Sequence, residues 1–67
     1  MKGPRLRALR EEAGISQAEL ARRLQLQGWD LDIMVLNRIE LGKRTLTDFE
    51  IQKILDILGR KWADLDE

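Results

Sequence analysis

Apolar residues recur along this chain at three- and four-residue intervals, and glycines cut the recurrence into blocks. Pro4 suits a first helical turn, where its missing N–H costs nothing. Leu6, Leu9, Arg10 and Ala13 then follow at helical spacing, and Gly14 can close the segment in the left-handed conformation, which predicts a helix over about 4–13. Ser16-Gln17-Ala18-Glu19 has the form of a capping box, with Ile15 and Leu20 placed as a hydrophobic staple around it. Leu20, Ala21 and Leu24 supply the apolar stripe of a second helix, over about 17–27, before Gly28. Asp32 is a good N-cap for a third helix, over about 33–41, with Leu36 and Ile39 inward, Val35 beside them and Gly42 at its end. Thr47-Asp48-Phe49-Glu50 is a second capping box. It opens a fourth helix, over about 48–58, whose apolar side is expected to hold Phe49, Ile51, Ile54, Leu55 and Leu58, with Gly59 closing it. A short fifth helix is expected over about 62–66, packed by Trp62 and Leu65. No alternation of period two runs long enough for a strand, so the expected class is all-α, as one domain over 1–67.

Composition narrows the chemistry. A chain of 67 residues buries a modest fraction of its surface and needs efficient helix packing, dimerisation or both. The absence of Cys excludes disulfides and thiolate metal sites, and the absence of His removes the usual general base and the commonest metal ligand. There is no Gly-rich phosphate loop and no metal-ligand spacing, so neither an enzyme nor a cofactor is expected. No apolar run is long enough to span a bilayer, and Met1-Lys2-Gly3-Pro4 does not open a signal peptide; a cytoplasmic protein with no membrane partner is the expectation. The net charge is zero, but its distribution is uneven. Arg5, Arg7, Arg10, Arg22, Arg23, Arg38, Lys43 and Arg44 make the front of the chain basic. Asp48, Glu50, Asp56, Asp64, Asp66 and Glu67 make its end acidic. Nucleic-acid binding depends on where the cations sit rather than on their sum.

Five short helices with a close pair at the second and third fit a helix-turn-helix on general grounds. Residues Leu6–Leu24 (LRALREEAGISQAELARRL) and Asn37–Arg44 (NRIELGKR) go further. Together they resemble the phage-repressor-like (Cro/C1, XRE-type) DNA-binding domains, and the likeness extends over about residues 5–66. The resemblance implies a five-helix repressor-like fold that binds double-stranded DNA as a homodimer and regulates transcription, with the third helix in the major groove. By matching position, Gln17, Lys43 and Arg44 are implied to contact phosphates. Arg22 joins them, although Arg22 and Arg23 also read as charges that solvate helix two or pair with nearby acids. Arg10 and Glu40 match a pair that links helices one and three by a salt bridge. Ala21 matches the small residue that lets helices two and three approach.

The chain departs from the family pattern in two places. The turn between helices two and three is lengthened over Gln25–Leu31, with Trp29 expected to fold back onto helix two. The base-facing positions Ile33 and Met34 are aliphatic, suited to thymine methyl groups and unable to hydrogen-bond base edges. That leaves Asn37 and Arg38, one turn on, as polar readers, Asn suiting adenine and Arg suiting guanine. The apolar face of Ile33, Met34 and Leu41 also supports a second reading: a protein-interaction module, antitoxin-like or self-associating. Trp29 and Trp62 are expected in the core, and Leu55 and Ile57 as either added core or a dimer patch.

Overall fold

The computed structural model describes residues 2–65. It holds four α-helices, α1 (Lys2–Glu12), α2 (Gln17–Leu26), α3 (Ile33–Glu40) and α4 (Asp48–Leu58), followed by a 3-10 turn at Trp62–Leu65. Among the described residues there is no strand, and no helix is long and apolar enough to cross a membrane. The all-helical expectation holds, with one change of count: the fifth helix is a single 3-10 turn. Asp66, the last residue expected in it, lies outside the described residues.

The helix boundaries follow from local chemistry. Asp32 Oδ1 accepts from the amide of Val35 at 2.9 Å and starts α3. At the other end of α2, the amides of Gly28 and Trp29 bond back to the carbonyls of Gln25 and Leu24, both at 3.0 Å. Gly28, at φ +95°, supplies the left-handed residue that this pair of bonds requires. Helix two accordingly ends at Leu26 and helix three at Glu40, each one residue short of the expected end.

α1 begins at Lys2, two residues earlier than the proline suggested, and ends at Glu12, one residue short of Ala13. Its second residue, Gly3, is buried, and a Cβ there would overlap the carbonyl oxygen of Ile39. The first turn of α1 thus lies directly against the last turn of α3. Only glycine allows backbones this close.

The core is continuous. Leu6 and Leu9 of α1, Leu20, Ala21 and Leu24 of α2, Leu36 and Ile39 of α3, and Ile51, Ile54, Leu55 and Leu58 of α4 are all buried, together with Leu31 and Leu65. Leu31 anchors the long turn: its side chain enters the core while its carbonyl accepts from Gln25 Nε2 at 2.7 Å. Leu55 is added core. Ile57, Trp29 and Trp62 are only partly buried, packed against the core from outside. Trp29 folds back through its backbone, and its ring lies beneath the Arg44 guanidinium at 5.8 Å.

Phe49 contradicts the expected apolar side of α4, being 80% exposed. Residues in a helix turn about 100° each, so Phe49 stands some 200° from Ile51 and off the stripe of Ile51, Ile54, Leu55 and Leu58.

Candidate nucleic-acid interface

α2 and α3 share one surface, and their polar residues on it are joined by hydrogen bonds that begin in the core. Arg10 and Glu40 form a two-pronged ion pair, Nε to Oε2 at 2.7 Å and Nη2 to Oε1 at 3.0 Å. Both side chains are nearly excluded from solvent. Arg10 Nη1 also donates to the Ile15 carbonyl at 2.8 Å, which ties the pair to the turn between α1 and α2. The bond to Glu40 raises the Arg10 pKa above its ordinary value, against the opposing effect of burial.

Glu40 Oε1 accepts a second bond, from Gln17 Nε2 at 3.0 Å. The same nitrogen donates to Asn37 Oδ1 at 3.1 Å. One carboxylate in the core is thereby connected, through the first residue of α2, to a side chain exposed on α3. Gln17, Ile33, Met34, Asn37 and Arg38 line a shallow depression at this surface. Four of these five are the residues expected to face bases. The fifth, Gln17, was expected at the phosphates, and both of its amide hydrogens are taken up inside the protein.

The cations around the depression differ in availability. Arg22 and Arg23 both donate to Glu19, with contacts of 2.7 Å. The two guanidiniums hold the Glu19 carboxyl at a pKa of about 2. Glu19 is consequently turned away from the Ser16 amide. Ser16 Oγ accepts from the Glu19 amide at 3.1 Å, so only half of the first expected capping box forms. At α4 the second box closes fully: Thr47 Oγ1 accepts from the Glu50 amide at 3.2 Å, and Glu50 Oε1 accepts from the Thr47 amide at 3.0 Å.

Glu50 also receives both prongs of Arg44, at 3.2 and 3.0 Å. The Arg44 contact, more than burial opposes it, lowers the Glu50 pKa. Among the described residues, Arg38 and Lys43 are exposed and have no carboxylate partner, unlike Arg22 and Arg44. Lys43 is held where α3 ends, its amide bonding the Arg38 carbonyl at 2.9 Å.

A family model described as helix-turn-helix matches this chain over residues 6–65. The chain belongs to that family. No curated protein and no solved structure gives a significant match. The family is one of DNA-binding transcription regulators of the phage-repressor-like, XRE type. In this helix-turn-helix the turn is the long one spanning Gln27–Asp32, and α3 is the element in the position of the recognition helix.

The ion pairs at the site differ in how far the sequence shows them. The pairing of Glu19 with Arg22 and Arg23 was legible, because residues three and four apart on a helix are neighbours. The Arg44–Glu50 pair was not, since it joins a loop to a helix at no characteristic spacing.

Proposed function

We propose that this helix-turn-helix binds double-stranded DNA sequence-specifically, as a homodimeric transcriptional regulator with α3 in the major groove. The observation that carries this reading is the exposed surface where Asn37 and Arg38 stand beside Gln17, flanked by Lys43, which has no carboxylate partner among the described residues. Arg38 and Asn37 read base edges, and Ile33 and Met34 pack on thymine methyl groups. Lys43 supplies phosphate attraction. Arg22 contributes by exchanging a surface carboxylate for a phosphate, a trade that costs little because exposed ion pairs are weak, and Arg44, whose partner Glu50 is part-buried, exchanges at a higher cost. Since Gln17 donates inward, phosphate contact at the start of α2 falls to the backbone amides there.

Selection from a random duplex library tests this. The enriched sequence should contain two half-sites about 10 base pairs apart, one per protomer. A lone half-site refutes the homodimer. No enrichment, with negligible binding to bulk DNA at low salt, refutes the DNA reading. Lys43→Ala should weaken all sequences alike and flatten the logarithmic salt slope by about 0.9.

The aliphatic residues favour a second reading, a protein-interaction module of antitoxin-like or self-associating kind. Met34 is 67% exposed, with Ile33 on α3 and Leu41 just past its end also open. Under that reading Met34→Asp abolishes association while the helical fold survives, and sedimentation should show the change in mass. An unchanged mass removes it.

A further inference from the structure

The hydrogen bonds leading out from Glu40 have a direction. A carboxylate only accepts, so the Gln17 amide facing Glu40 must present its nitrogen. That nitrogen only donates, so the Asn37 amide facing it must present its oxygen. The assignment of both amides thus follows from the Arg10–Glu40 ion pair, and not from the shape of the amide groups, whose two ends are alike. Asn37 Oδ1 is turned toward α2, and Nδ2 is the end left for a ligand on the exposed surface of α3.

We infer that Gln17 is a specificity-determining positioning residue: it holds Asn37 so that Asn37 offers a hydrogen-bond donor, and not its donor–acceptor pair, to the bases. The inference rests on the DNA reading above. A free asparagine suits adenine, donating to N7 while accepting from N6. An asparagine whose oxygen is turned toward α2 cannot aim oxygen and nitrogen together at one adenine edge, and so loses the second of those bonds. It selects bases whose major-groove edge offers acceptors without an adjacent donor, which are guanine (N7 and O6) and thymine (O4). The core ion pair thereby sets, through two amides, which class of base is read at one position.

The experiment has a DNA-free part and a selection part. In the free protein, hydrogen exchange of the side-chain amides by NMR should show the Gln17 NH2 protons exchanging more slowly than those of Asn37. The reverse order overturns the inference. In duplex selection, the base pair that loses preference in Asn37→Ala marks the position, and the wild-type protein should prefer guanine or thymine there. Selection of adenine overturns it.

Gln17→Ala should reduce discrimination at that same base pair by about 3- to 10-fold, the worth of a single hydrogen bond. Its loss is concentrated at one position, unlike the uniform loss in Lys43→Ala. Asn37→Asp keeps an oxygen for Gln17 and turns an acceptor outward, so preference there should invert to cytosine or adenine, whose exocyclic amines donate. An Asn37→Asp column that is unchanged or featureless overturns the inference, as does a Gln17→Ala column that keeps its full preference. If the wild-type protein enriches no sequence, the DNA reading falls and the inference with it. A specific site whose position-37 column ignores Gln17 overturns the inference alone.

Discussion

Two carboxylates flank the start of α2, and each accepts hydrogen bonds from two other residues. Glu40 binds Arg10 and Gln17 from the core side, and Glu19 binds Arg22 and Arg23 from the solvent side. The shortest contacts in both clusters are 2.7 Å. The environments are opposite: the Glu40 side chain is 2% exposed, whereas the Glu19 side chain is 32% exposed and its partners more so. Equal lengths therefore conceal unequal consequences. A buried charge that loses its partner has no water to replace it, and an exposed one is resolvated at once. The inner cluster is structural and oriented. The outer one is a reserve of cations held near the surface that α2 and α3 share.

The largest effect should come from breaking the inner cluster. Glu40→Ala strands the Arg10 guanidinium and is expected to cost about 3–5 kcal/mol in urea unfolding. The double change Arg10→Met with Glu40→Leu, which removes both charges, should recover most of that loss. A small cost for Glu40→Ala would erase the distinction between the clusters. Next in size are the caps. Thr47→Ala should cost about 1 kcal/mol or somewhat more, and Ser16→Ala less, because Glu19 has abandoned its half of the box.

Acid titration should follow the outer carboxylates. Glu19 and Glu50 are both held below the ordinary 4.5, so the stability they add is complete above that value. It is lost as pH falls through their folded pKa values, about 2 for Glu19. With no histidine in the chain, stability should be nearly flat from about pH 5.5 to 9, as thermal unfolding across that range would show. Glu19→Gln should lower the urea midpoint far less than Glu40→Ala does, because its ion pairs are exposed, yet release Arg22 and Arg23. DNA affinity at low salt should then rise, with the salt slope steepening by about 0.9 for each phosphate gained. The smallest effect tests the competition itself. In Arg22→Ala with Arg23→Ala, Glu19 is free to reach back to Ser16, and hydrogen exchange at the Ser16 amide should slow.

Most of the scaffold was written in local sequence. The N-caps Asp32 and Thr47, the left-handed Gly28 and Gly42, and the stripes of Leu20, Leu24, Leu36 and Ile39 depend on neighbours a few residues away, so spacing reveals them. What stayed hidden depends on distant partners. The contact of Gly3 with Ile39, the burial of Leu31 in a polar turn and the Arg44–Glu50 pair are all products of how helices meet. Phe49 shows the opposite failing, since an apolar residue next to a helical stripe was counted with it although its angle excludes it. At the site, the sequence supplied the residues and not their commitments. Gln17 and Asn37 lie 20 positions apart, and nothing short of the packed α2–α3 pair shows that the amide of one occupies the oxygen of the other.

That contact also bears on how such a protein diversifies. The chain of bonds from Arg10 to Asn37 is anchored at one end and open at the other. A single mutational step at position 37 alters the surface shown to a target and leaves the core untouched. A step at Glu40 or Arg10 requires compensating steps along the whole chain. Lineages descended from this sequence should accordingly vary freely at position 37 while positions 10, 17 and 40 change together or not at all.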